Sequence, residues 1–117
     1  MPNPVTHFEV LGQDAGALQR FYGDAFDWQM QDAMGGSYYM VNPGAANAIG
    51  GGVGAAPDGS SGHVTFYVEV EDPAAALAKI SELGGKTVQE PMDVPNGPTI
   101  ALFADPEGHV VGLVKRM

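Results

Sequence analysis

Shifted against itself by 58 positions, the 117-residue chain matches in register: His7-Phe8-Glu9-Val10 falls on Thr65-Phe66-Tyr67-Val68, Asp14 on Asp72, and Ala17 on Ala75. A repeat of about half the length means that one supersecondary unit is built twice. In each half an alternating stretch runs into the aspartate and then into a segment of helical period. Asp14 is a good N-cap, and Leu18, Phe21, Tyr22 and Ala25 share one face, which predicts a core-facing helix over 15–26. Asp72 caps the second helix and Pro73 takes its first position. Leu77, Ile80 and Leu83 line one side, and Gly84-Gly85 supplies the stop. Three β-like stretches follow each helix, about 28–32, 37–42 and 48–53, then 86–90, 98–104 and 109–115. The expected order is βαβββ twice, in modules of about 1–58 and 59–117 within a single domain, 1–117.

Composition narrows the function classes. A net charge of −9 repels phosphate backbones and anionic lipid, and no Lys/Arg stripe exists, so nucleic acid and membrane surfaces are disfavoured as partners. With no cysteine there is no disulfide framework and no thiolate chemistry, and no apolar run approaches the length of a spanning helix. Met1-Pro2-Asn3-Pro4 lacks the pattern of a signal peptide, which gives the cytoplasm as the expected compartment.

Strand alternation assigns faces. Val64, Phe66, Val68 and Val70 make one apolar side of the fifth strand, with His63, Thr65, Tyr67 and Glu69 opposite. Phe8 and Val10 likewise face a helix while His7 and Glu9 point the other way. The polar sides line a pocket or face solvent. His7 is the leading candidate: a lone metal ligand, a general base, a ligand-binding residue, or a histidine simply held by its neighbours. His63 follows Ser60-Ser61-Gly62 at a strand end that favours exposure, and His109 sits in a turn. Glu9 and Glu69 are an acid and base pair or solvated carboxylates, and Tyr39, Tyr67 and Phe103 are pocket walls or ordinary core. Gly50-Gly51-Gly52 lacks the Lys-Ser/Thr of a phosphate loop and suits close backbone approach within a strand. Glu90 to Pro98, with three prolines, reads as a stiff loop, and Asp105-Pro106-Glu107-Gly108 as a turn.

These elements resemble the vicinal oxygen chelate superfamily of glyoxalases, bleomycin resistance proteins and dioxygenases. The resemblance is carried by Val5-Thr6-His7-Phe8-Glu9-Val10 with Asp14, by Leu18 to Phe26 and Trp28, by the Val64 to Val70 strand with Asp72, by Leu83-Gly84-Gly85, and by Asp105-Pro106-Glu107-Gly108-His109. It implies an α+β fold, two tandem βαβββ modules forming curved mixed, mostly antiparallel sheets around a cleft, and a homodimer. It also implies a divalent metal held by four strand residues, acting as a Lewis acid on a bidentate substrate. Carried over position by position, the first ligand falls on His7. The others fall on Thr65, on Gly112 and near Gly50 to Gly52, so three of four positions are empty. One imidazole in an otherwise neutral shell does not hold a divalent ion at useful affinity, so no cofactor is firmly assigned; a divalent metal stays open, with Glu9, Glu69 or, after a register shift, His63 as the donors that would complete its shell.

The expected function is a glyoxalase-like small-molecule pocket protein, a lyase or isomerase with a degenerate metal site. In that reading His7 moves a proton, and Glu9, Tyr39, His63, Thr65, Tyr67 and Phe103 bind substrate. The alternative is non-catalytic sequestration of a small aromatic or cationic compound, favoured by the aromatic residues and the acidic balance.

Overall fold

Asp14 and Asp72 turn strand into helix in the same way. In the computed structural model, which describes residues 2–57 and 59–117, they adopt nearly identical extended backbones, φ −128 ψ 95 and φ −137 ψ 100. Asp14 Oδ1 accepts from Ala17 N at 3.0 Å, and Asp72 Oδ1 from Ala74 N and Ala75 N at 3.0 and 3.3 Å, which satisfies amides that a first helical turn leaves without partners. The chain runs β1 (Val5–Gly12), α1 (Ala15–Phe26), β2 (Met30–Asp32), β3 (Tyr38–Val41), β4 (Gly50–Ala55), β5 (His63–Val70), α2 (Pro73–Glu82), β6 (Lys86–Asp93), β7 (Thr99–Ala104) and β8 (Val110–Lys115). This is the predicted α+β order, βαβββ twice.

Two compact units result, His7–Thr65 and Phe66–Met117, the latter with residues 2–6. The N-terminal arm is tied to the second unit by the Glu69 amide, which donates to the Pro4 carbonyl at 2.8 Å. The module boundary expected near residue 58 falls on Asp58, outside the described residues. Strand order in the first unit is β2-β3-β4-β1 and in the second β6-β7-β8-β5. In each, the first and last strands pair in parallel and the rest antiparallel, so the sheets are mixed and mostly antiparallel. The helix and the two middle strands form the crossover that a parallel pair requires. Among the described residues no helix is long and apolar enough to cross a membrane.

In the first unit Val10, Val41 and Val53 form the core, with Phe8, Leu18, Tyr22, Trp28 and Met30 packed on it. The helical stripe is narrower than its spacing predicts. Phe21 is exposed and meets the Tyr22 ring edge-on at 5.1 Å, and Ala25 also faces out, while Tyr22 stacks on Trp28 at 5.5 Å. In the second unit Val70, Leu77, Ala101 and Leu113 are the core. The predicted apolar face of β5 splits: Val68 and Val70 pack there, but Val64 and Phe66 are exposed, because the helix-side core reaches only the C-terminal half of the strand.

Two further differences have local causes. The strand expected over 86–90 continues to Asp93 through part of the predicted loop. It tolerates Pro91 because the β6–β7 register shifts between Gln89 and Met92, where a missing N–H costs no ladder bond. The glycines of β4 are slots for aromatic rings. A Cβ on Gly51 would strike the Phe8 ring on the helix side, and one on Gly52 or Gly54 would strike Tyr38 on the other.

Candidate functional site

The pairing β3-β4-β1 puts Tyr38 two strands from Glu9, about 9.6 Å by ordinary sheet spacing. Side chains facing the same side of β4 would block that path. In register, β4 offers Gly50 to His7, Gly52 to Glu9 and Gly54 to Leu11, so this face of the strand is bare, and the Tyr38 ring lies across it. Its hydroxyl reaches β1, 3.0 Å from Glu9 Oε2 and 3.1 Å from His7 Nε2. His63, the first residue of β5, places Nε2 3.3 Å from Glu9 Oε1. All four residues belong to the first unit, on the sheet face turned away from α1.

Glu9 is 8% exposed. A carboxylate taken out of water is costly without hydrogen bonds to its charge, and here each of its oxygens has one. Burial pushes the His7 imidazole below its ordinary pKa of 6.5, and the opposing pull of the Glu9 charge is the smaller effect. The lowered pKa favours the neutral imidazole at neutral pH. The arrangement is a linked chain, His7, Tyr38, Glu9, His63, with an anion next to a phenol next to a neutral imidazole.

The remaining candidates are dispersed. Tyr39 is the register partner of Val53 and so turns to the helix side. The tyrosine in the cluster is Tyr38, one residue earlier, which sequence reasoning missed. Its only signal was the run of glycines at alternate positions of β4, a floor that needs a ring. Thr65 is buried in the first unit, and Tyr67 is buried in the second with its ring over Gly112. Phe103 packs against the α2-side core with Leu77 and Leu113, on the opposite sheet face from Tyr67. Glu69 is held by Arg116 at 3.5 Å rather than by any histidine. His109 is exposed in its turn, 3.0 Å from Asp105 Oδ2, and the hydrogen bonds Asp105 accepts from His109 and Glu107 hold its carboxyl below the usual range. Open grooves in each unit lie elsewhere, between the ends of β2 and β3 and beside α2 under Lys79.

The family's metal does not fit the donors present. Gly52 and Gly112 occupy matching register positions, opposite Glu9 in β1 and Tyr67 in β5, and a tyrosine ring fills the space above each. Among the described residues no three His, Asp or Glu side chains converge on a point that could hold an ion.

Comparison with known proteins places the chain as a whole. CFP32, a provisional glyoxylase of Mycobacterium tuberculosis, is 31% identical over 86 residues, covering 74% of this chain and 33% of the relative. The chain thus spans about a third of the length of that relative. A glyoxylase-like domain-containing protein of Didymella fabae is 24% identical over 119 residues, covering 96% and 93%. Among solved structures, methylmalonyl-CoA epimerase of Mycobacterium tuberculosis superposes with a TM-score of 0.68 at 15% identity, over 97% of this chain and 87% of that one. That likeness shows the fold alone. A sequence model of the Glyoxalase/Bleomycin resistance protein/Dioxygenase superfamily matches residues 5–113, and the chain belongs to that superfamily.

Proposed function

We propose that the chain is a glyoxalase-like lyase or isomerase that moves a proton on a small molecule, with His7 as general base and no use of the family's metal. The observation that carries this reading is the half-buried His7 imidazole, whose pKa burial lowers, bonded to Tyr38, which is itself bonded to the Glu9 carboxylate. In the proposed step a C–H bond next to a carbonyl breaks, the proton goes to His7, and the electron pair moves onto the carbonyl oxygen. The anionic end of the chain stabilises the imidazolium so formed, and return of the proton completes an isomerisation. Thr65, which lies in the same unit as His7, remains a proposed substrate contact, and the two modules are proposed to make one domain. Association of two copies is part of the proposal, supported by the exposed apolar Val64 and Phe66.

The test is a panel of small carbonyl compounds in heavy water, with deuterium incorporation read by mass spectrometry for wild type and His7→Ala. The expected result is at least one compound that exchanges with wild type and loses about 10²–10⁴-fold in rate with the variant. Equal rates for the two proteins refute the assignment of His7. Binding without exchange, with affinity only partly lost in His7→Ala, moves the protein to the alternative of sequestering an aromatic or cationic compound.

A further inference from the structure

A carboxylate accepts hydrogen bonds and donates none. Glu9 therefore receives a proton at each oxygen, from Tyr38 Oη at Oε2 and from His63 Nε2 at Oε1. The phenol has one proton, and the charged acceptor takes it in preference to a neutral ring nitrogen. What Tyr38 then presents to His7 is oxygen lone pairs, at 3.1 Å from Nε2. Two acceptors facing each other at that distance would repel, so Nε2 carries the hydrogen and donates to Tyr38.

We infer that Tyr38 is a positioning residue that fixes His7 as its Nε2–H tautomer, making Nδ1 the nitrogen that accepts the proton. This rests on the reading of His7 as the base and specifies which of its atoms does the work. Along the three bonds described, His7 to Tyr38, Tyr38 to Glu9 and His63 to Glu9, each donor points toward the carboxylate. The glycines of β4 are part of the device, because only a bare strand lets the tyrosine of β3 reach the imidazole of β1.

Long-range proton–nitrogen correlation spectra of the uniformly nitrogen-15-labelled chain test this directly, since protonated and lone-pair ring nitrogens resonate far apart. At a pH above the ordinary histidine value, with His7 identified by the signals lost in His7→Gln, wild type is expected to show Nε2 protonated and Nδ1 bearing the lone pair. Tyr38→Phe keeps a ring over Gly52 and removes only the hydroxyl. It is expected to shift both His7 nitrogens toward averaged values and to leave exposed His109 unchanged. A protonated Nδ1 in wild type overturns the inference, as does a Tyr38→Phe spectrum identical to wild type. If Tyr38→Phe does not fold, the wild-type pattern alone decides. Turnover in His7→Ala judges the base and the spectrum judges the tautomer, so the two readings fail separately.

Discussion

Gly52→Ala should be among the most damaging single-methyl additions available to this chain, and its cost is traceable to one side chain. Gly52 is not among the left-handed glycines, so alanine can adopt its backbone, and the damage comes from contact alone. The added methyl would overlap the hydroxyl and ring of Tyr38. That ring is rigid and held at its tip, so it must swing off the strand. Overpacking of this kind costs about 1–3 kcal/mol. Losing the bond from Tyr38 to a buried carboxylate costs about 1.5–3 kcal/mol more. The total of about 2.5–6 kcal/mol is a large part of the stability of about 5–15 kcal/mol usual for a domain. Urea unfolding near neutral pH reads it as a lower midpoint at constant slope. The decisive comparison is the double variant. With Tyr38→Ala already in place the methyl meets no ring, and Gly52→Ala should then stabilise by about 0.5–1 kcal/mol through reduced backbone freedom in the unfolded chain. A cost within about 0.5 kcal/mol of zero in the wild-type background would refute the argument. So would the same cost in both backgrounds, since the methyl would then be meeting something other than Tyr38.

Protonation of His7 should couple to stability with a definite sign. Its folded pKa lies below 6.5, so as pH falls under that value the unfolded chain takes up a proton that the folded chain resists, and stability drops until the folded pKa is passed. Urea midpoints between mildly acidic and neutral pH should fall more steeply for wild type than for His7→Gln, and a shallower fall in wild type would contradict this. In the second unit Leu77→Ala, at a position 4% exposed, should cost about 2–5 kcal/mol, whereas Leu83→Ala, 70% exposed, should stay within about 0.5 kcal/mol. Comparable losses at the two positions, seen by thermal unfolding, would mean that α2 is rotated from the face assigned to it.

What was legible in the sequence is what side chains announce locally. The start of α1 follows from Asp14 and its span from the apolar spacing, while its stop at Asp27, left-handed at φ 61, shows only in the structure. His7 and Glu9 were visible because alternation in β1 sets them against Phe8 and Val10. Tyr38 was hidden behind Tyr39 because two adjacent tyrosines fit an alternating strand equally well, and only register against β4 says which faces β1. That register could not be read either, since β4 is mostly glycine and glycine carries no hydrophobic period. His63 looked like an exposed strand end, and its partner lies 54 residues away. Phe103 is the reverse case. An aromatic in a strand gives no sign of which face it takes until Ala101 and Leu113 are seen beside it on the α2 side.

The duplication explains why the cluster formed in one unit and not in the other. Gly52 and Gly112 are equivalent positions, each paired with the third residue of its strand's shared motif: Glu9 in His7-Phe8-Glu9-Val10 and Tyr67 in Thr65-Phe66-Tyr67-Val68. A bare backbone at the centre of a sheet face must be covered. In the second unit the register partner is itself a tyrosine, so Tyr67 covers Gly112 from the neighbouring strand and the need is met within one pair. In the first unit the partner is a carboxylate, too small and too polar to cover Gly52, so the ring must come from β3 on the other side. A tyrosine arriving from there meets Glu9 hydroxyl first, and the bond that satisfies the buried carboxylate also sets that hydroxyl beside His7. One difference between the repeats, Glu9 against Tyr67, thus turns a packing device into a chain of acid, phenol and imidazole. The same glycine that removes a ligand position makes room for the residue that holds the base.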